Sequence, residues 1–212
     1  MNVKNKHILD SIIWAKTDSP KDIFNRIYEK NLWYSKETVS GKGSQKTAVK
    51  NILRMLPELF SELNIKTVLD SPCGDYSWMK EIDYTFEKYI GIDIVENLIK
   101  DNILKYGNTN ISFNCLDIIK DDMPKVDLIL CRDCFIHLSY KNIFKAVRNF
   151  KNTNSKYLLT TTYKNVKENT DIFNGGFRKI NLLLPPFNFS SPEIEIPEED
   201  DKVLSLWRIE DL

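Results

Sequence analysis

Three aspartates, Asp70, Asp93 and Asp117, fall 23 and 24 residues apart, each at or just after the end of a short apolar run. The runs Thr67-Val-Leu-Asp70, Tyr89-Ile-Gly-Ile-Asp93 and Ile111-Ser-Phe-Asn-Cys115 read as strands. Neighbouring strands of a parallel sheet deliver their last residues to one edge, so the three carboxylates would lie side by side around a crevice. A carboxylate after the second strand accepts hydrogen bonds from both hydroxyls of a ribose, the role of the acid about 20 residues beyond a glycine-containing turn in dinucleotide folds. Asp93 takes that position. Asp117 would face a purine, its carboxylate accepting from an exocyclic amine and its own N–H donating to a ring nitrogen, with Ile94 and Ile118 on the two faces of the base. A single aspartate at a strand end is commonly a helix N-cap; three in register point to a ligand.

The turn after the first run, Asp70-Ser-Pro-Cys-Gly-Asp-Tyr76, leads into residues expected to open a helix, whose free N–H groups would face the ligand. Asp70, Cys73 and Gly74 are its candidate binding residues. Pro72 holds φ at about −65° and leaves Gly74 as the residue that permits close backbone approach. Upstream, Asn31 to Ser44 is a loop with two glycines and several hydroxyl residues. With Trp33 and Tyr34 beside it, this loop reads as a lid, and Trp33, Ser40, Gly41 and Ser44 join the cofactor set, with Tyr34 facing a substrate.

His137 follows the fourth apolar run in Cys131-Arg-Asp-Cys-Phe-Ile-His137; the other histidine, His7, is remote in sequence. A histidine with a pKa near neutrality suits a general base, contributing on the order of 10² to 10⁴ in rate. Arg132 and Arg178 have the planar fork that grips an oxyanion bidentately. Tyr163, at the end of a fifth run, is a further candidate for an acceptor pocket.

These residues need a scaffold, and the chain supplies one by alternation. Pro20 to Lys30 is an amphipathic helix with Ser19 as N-cap and Pro20 at N1. Gln45 to Leu63 carries apolar residues every three or four positions, a helix that Pro57 should kink or divide. After the first two strands come a helix over Val95–Tyr106, strands at Ile111–Cys115 and Val126–Cys131, a helix over Tyr140–Phe150 and a strand over Tyr157–Tyr163. This order implies parallel strands with helices on both faces. Toward the end, Val203–Ile209 alternates as a strand and Arg178–Leu184 is a second candidate, an antiparallel finish at one edge.

The chain of 212 residues fits one domain, with 1–45 as an N-terminal helix and lid segment and 46–212 as the main body. Thirty basic and thirty acidic residues cancel, which disfavours a nucleic-acid partner and favours a small-molecule substrate. No run approaches the roughly 18 to 20 apolar residues of a membrane span, and Met1 to Asp10 lacks a signal-peptide core, so a cytoplasmic location is expected. The four cysteines read as buried thiols, and although Cys131 and Cys134 form a C-x-x-C, no metal site is expected. The oligomeric state is left open by the sequence.

Val68-Leu-Asp-Ser-Pro-Cys-Gly-Asp75, Gly91-Ile-Asp93 and Cys115-Leu-Asp117 resemble, in order and spacing, the successive cofactor motifs of class I S-adenosylmethionine-dependent methyltransferases. The resemblance implies a Rossmann-like α/β fold with a mostly parallel seven-stranded sheet and an antiparallel C-terminal edge strand. It also implies S-adenosyl-L-methionine as cofactor, S-adenosyl-L-homocysteine as product, and residues such as His137 and Arg132 facing the methyl group and the acceptor. More narrowly, Glu37-Thr-Val-Ser-Gly-Lys-Gly-Ser44, Arg132-Asp-Cys-Phe-Ile-His-Leu-Ser139 and the pieces Asn181-Leu182, Pro186-Phe187, Leu206-Trp207 and Asp211-Leu212 are similar to small bacterial methyltransferases. Some of these are associated with capsular polysaccharide, including its O-methyl phosphoramidate modification. One departure is informative: Pro72 and Tyr76 stand where the family's Asp-x-Gly-x-Gly-x-Gly has glycines, which suits a cofactor without a pyrophosphate better than NAD. Natural-product N- or O-methylation and a non-catalytic adenosyl-binding module are the alternatives.

Overall fold

The computed structural model describes residues 19–212; Met1 to Asp10, His7 and the rest of the first eighteen residues lie outside it. Seven strands form one sheet: β1 (Thr67–Asp70), β2 (Lys88–Asp93), β3 (Ile111–Cys115), β4 (Leu128–Cys131), β5 (Tyr157–Tyr163), β6 (Ile194–Pro197) and β7 (Lys202–Arg208). Their order is β3-β2-β1-β4-β5-β7-β6, with β1 to β5 parallel and β7 antiparallel to both β5 and β6. The chain therefore winds one way from β1 and the other way from β4. A crevice opens where those two strands diverge at their carboxyl ends, the usual ligand position in such sheets.

Alternation along the strands builds two cores. Val68, Leu128 and Leu130 face α2 (Lys50–Glu62), which buries Ile52, Leu56, Leu59 and Phe60, while Ile99 of α3 (Glu96–Tyr106) packs on the same side. Leu69, Ile129 and Cys131 face the opposite way, onto Ile143, Ala146, Val147 and Phe150 of α4 (Tyr140–Asn152). The N-terminal helix, α1 (Pro20–Glu29), is capped by Ser19, whose Oγ accepts from the Asp22 N–H at 3.2 Å, and Pro20 stands in its first turn. At the other edge of β1, the Asp127 carboxylate accepts from Lys66 N, Thr67 N and Thr67 Oγ1 at 2.8–3.0 Å, pinning β1 beside β4.

Four expectations are corrected. No α-helix follows β1; residues 71–87 contain one 3-10 turn, Met79–Glu81. The reason is local, because Tyr76 takes a left-handed φ of 58° and inserts its ring among Tyr89, Tyr106 and Phe113. A residue with that φ cannot sit inside a right-handed helix. Of the kink or division expected at Pro57, division does not occur, since losing one backbone bond is outweighed by the helix's continuous buried face. The partner of β7 is Ile194–Pro197, not 178–184; the latter segment crosses over the α4 side with Ile180 and Leu182 buried. Among the cysteines, Cys115 is exposed while Cys73, Cys131 and Cys134 are buried.

The α4-side core depends on large side chains meeting the sheet. Truncating the fully buried Phe150, which packs on Phe135, to alanine should lower stability by about 3 to 5 kcal/mol. Urea denaturation checks this; a loss below about 1 kcal/mol would contradict the assigned core position.

Candidate active site

A cavity of about 790 Å³ opens at the carboxyl ends of β1 to β5, roofed by residues of α1 and of the 31–44 loop. That volume lies within the range of small-molecule sites. Trp33, Ser40, Gly41, Ser44, Asp70, Cys73, Gly74, Asp93, Ile94, Asp117, Ile118, Arg132, His137 and Tyr163 all line it. Tyr34 and Arg178 do not. Tyr34 is exposed, and the Arg178 guanidinium is taken up by the carbonyls of Phe135, Leu138 and Thr170.

At one end the carboxylates of β1 and β2 are bound into the backbone. Asp93 accepts from Val95 N at 3.0 Å and Gly74 N at 3.2 Å, tying the end of β2 to the β1 turn, and burial pushes its pKa up to about 6. Asp70 accepts a 2.6 Å bond from the Tyr89 hydroxyl, and burial pushes it up to about 7. Asn102 of α3 donates to the Gly74 carbonyl at 2.7 Å, fixing the other side of the turn. Asp117 departs from expectation: its N–H is bonded to Asp121 at 2.8 Å, and its carboxylate accepts from Ile119 N. Among the described residues no acceptor lies on the next N–H, that of Ile118.

The lid is latched by a residue the sequence reading passed over. Asp75 Oδ2 accepts from Thr38 Oγ1 at 2.5 Å and Val39 N at 3.1 Å, and its Oδ1 accepts from Ser40 Oγ at 3.1 Å. Ser40 Oγ in turn accepts from the Asp75 N–H at 2.9 Å. Gly74, at φ +54°, makes the approach possible, since a Cβ there would lie 2.1 Å from Ser40 Oγ. Asp75 belongs to the quoted turn motif, but nothing local in sequence says that its partners lie 35 to 37 residues upstream.

At the other end, His137 closes a 3-10 turn, Phe135–His137, whose carbonyls Arg178 holds. Its Nδ1 lies 2.7 Å from the Gly176 carbonyl. A carbonyl only accepts, so Nδ1 carries the proton and Nε2 keeps its lone pair. Burial lowers the His137 pKa, keeping the ring neutral at pH 7. Trp33 stacks on it at 5.2 Å between centroids, and Phe177 flanks it at 5.9 Å. Arg132 is fully engaged: it pairs with Glu198, lies 3.4 Å from Asp133, donates to the Gly43 carbonyl and covers the Trp78 ring. Lys202 bridges Asp133 at 2.7 Å and Glu198 at 3.1 Å. Burial works against the charged form of Asp133, yet Arg132 and Lys202 hold its carboxyl below the usual range. Lys202, Phe177 and the Gly175-Gly176 pair come from the segment after β5, where the sequence offers two candidate strands and, of site residues, only Arg178.

No family model matches the chain, and no curated protein matches it. Solved structures do match its fold. The N-methyltransferase NodS from Bradyrhizobium japonicum WM9, in complex with S-adenosyl-L-homocysteine, superposes with a TM-score of 0.61 at 11% identity, covering 85% of this chain and 97% of that one. Magnesium protoporphyrin IX methyltransferase ChlM from Synechocystis PCC 6803, with bound S-adenosylmethionine, gives 0.56 at 14% over 90% and 97%. The methyltransferase domain of bacterial CtHen1 gives 0.58 at 15% over 76% and 99%. At these identities the likeness is one of fold.

If Asp75 is the latch, Asp75→Ala should speed amide hydrogen exchange at Val39 and Ser40 by about tenfold or more while leaving the sheet protected. Unchanged exchange in residues 38–40 would contradict it.

Proposed function

We propose that this protein is an S-adenosylmethionine-dependent methyltransferase that methylates a hydroxyl of a small polar acceptor. The observation that carries the reading is the set of carboxylates Asp70, Asp93 and Asp117, opening from three neighbouring strands into one cavity whose β1 turn leads into no helix. A helix N-terminus is the standard seat of a pyrophosphate; its absence beside three carboxylates disfavours a dinucleotide and suits a nucleoside that carries positive charge. The fit extends to details: Asp93 retains lone pairs for ribose hydroxyls, Ile94 and Ile118 supply apolar faces for a base, and the Ile118 N–H, rather than that of Asp117, can donate to it. The fold likeness to NodS and ChlM, described with S-adenosyl-L-homocysteine and S-adenosylmethionine, supports the same cofactor.

S-adenosylmethionine, when bound, supplies an electrophilic methyl group on a sulfonium. The chain's own residues then have three tasks. Trp33 and the latched 38–44 loop exclude water. The walls hold the acceptor oxygen in line, which accounts for most of the rate such a displacement needs. His137 takes the acceptor's proton on Nε2, being neutral and fixed in the right tautomer by Gly176. A sugar of a capsular-polysaccharide precursor is the kind of acceptor the sequence resemblance implies. A phosphoramidate oxyanion is less well served, because both arginines expected to clamp it are already engaged.

His137→Ala should cut turnover by about 10² or more with the cofactor Kd unchanged, and Asp93→Ala should weaken the cofactor Kd by tenfold or more. Because the proton acceptor must be neutral and its pKa is lowered, kcat should be flat above pH 6.5 and fall only as the pH drops below that value. Methyl incorporation followed by mass spectrometry, with calorimetry for the cofactor, reads all three. Normal turnover in His137→Ala, or undiminished binding in Asp93→Ala, would remove the assigned role.

A further inference from the structure

We infer that the acceptor is an uncharged hydroxyl compound with a ring or other flat apolar face, a conclusion that rests on the methyl-transfer reading and specifies its second substrate. The two ends of the cavity differ in charge. At the cofactor end Asp70 and Asp93 have no ion-pair partner among the described residues. Around His137 the interior charges balance: Arg132 and Lys202 face Asp133 and Glu198 in one network, in which Glu198 Oε1 alone is left without a hydrogen-bond partner and does not line the cavity. The two charges at the rim, Lys42 and Glu199, are exposed and of opposite sign. Behind Tyr163, Lys179 is likewise paired, to Asp201 at 2.6 Å. A phosphate or an ammonium group entering this end would leave water without finding a free counter-ion, and burying an unpaired charge is strongly unfavourable.

What the acceptor end does offer is aromatic surface and two unspent polar groups. Trp33 and Phe177 flank His137, and all three line the cavity. His137 Nε2 is an acceptor without a proton, its partner nitrogen being held by Gly176. Tyr163 is 7% exposed, and among the described residues its hydroxyl has no hydrogen-bond partner although it lines the cavity. As both donor and acceptor, this hydroxyl is free to bond a ligand in the cavity. A neutral hydroxyl compound suits both groups, its hydroxyls able to donate to Nε2 and to accept from Tyr163 while its ring covers the aromatic wall. An ammonium has no lone pair to accept with, and a phosphate dianion has no proton to donate.

The test compares matched ligands in the presence of saturating S-adenosyl-L-homocysteine, whose own binding is measured first by calorimetry. Cyclohexylmethanol, cyclohexylmethylamine and cyclohexylmethyl phosphate form one set; methyl glucoside, its 6-amino-6-deoxy form and its 6-phosphate form another. Binding is read by saturation-transfer NMR titration on the wild-type chain and on Tyr163→Phe and Phe177→Ala. The alcohol of at least one set should bind about tenfold or more tighter than both charged members, and each substitution should weaken it by a similar factor without changing S-adenosyl-L-homocysteine affinity. That unchanged affinity also shows that the variants are folded. Equal or tighter binding of an amine or a phosphate, no binding of either alcohol, or alcohol binding indifferent to Tyr163 would overturn the inference. Failure of S-adenosyl-L-homocysteine to bind would instead overturn the methyl-transfer reading.

Discussion

Two buried carboxylates with no ion-pair partner among the described residues set the terms for the rest of this structure. Asp70 and Asp93 end adjacent strands of a parallel sheet, and their raised pKa values, about 7 and about 6, register the cost of holding them out of water. The fold meets that cost with hydrogen bonds rather than with ion pairs: Tyr89 donates to one, the Gly74 and Val95 N–H groups to the other. A ligand bringing hydroxyl donors and positive charge would lower the cost further, and an anion would raise it. The polarity of the site thus follows from strand order, since β1 and β2 must lie side by side for the two carboxylates to meet.

The same strand order places the His137 end of the cavity. Because β4 runs on the other side of β1, Arg132 and His137 rise beside Asp70, and the Arg132 charge favours the ionised form of the Asp70 carboxyl without forming an ion pair with it. Arg132 also acts mechanically: its guanidinium reaches Glu198 from the β6–β7 connection and the Gly43 carbonyl of the lid. Asp75 secures the other end of that lid against the β1 turn. A loop held at one end by the half-buried Asp75 carboxylate and at the other by the buried Arg132 guanidinium is positioned by the turns that follow β1 and β4.

Much of the framework was legible in the sequence because parallel strands buried on both faces leave a plain record. Apolar runs ended by Asp70 and Asp93 mark the carboxyl edge, and the 3.6-residue stripes of α2 and α4 mark the covering layers. Ten of the expected residues that line the cavity, from Asp70 to Tyr163, were legible because strand ends share an edge, and the other four, Trp33, Ser40, Gly41 and Ser44, because of the glycines and hydroxyls of their loop. What could not be read were pairings across long separations. The Lys202–Asp133 contact spans 69 residues, and the engagement of Arg132 and Arg178 is invisible in a list of residue types. The missing helix after β1 illustrates a different limit. A single tyrosine in a left-handed conformation, stabilised by three aromatic neighbours, overrides the strand-turn-helix rhythm that the rest of the chain obeys.

The central claim is that the carboxylate-lined end binds an adenosyl compound carrying positive charge and no phosphate. Calorimetric titration of the wild-type chain with S-adenosylmethionine and with NAD, at pH 8 and pH 6, tests it most directly. The account predicts saturable binding of S-adenosylmethionine that weakens by about tenfold at the lower pH, as Asp70 protonates through its value of about 7, and no comparable binding of NAD. NAD binding as tight as that of S-adenosylmethionine, or S-adenosylmethionine affinity indifferent to pH across that interval, would contradict it.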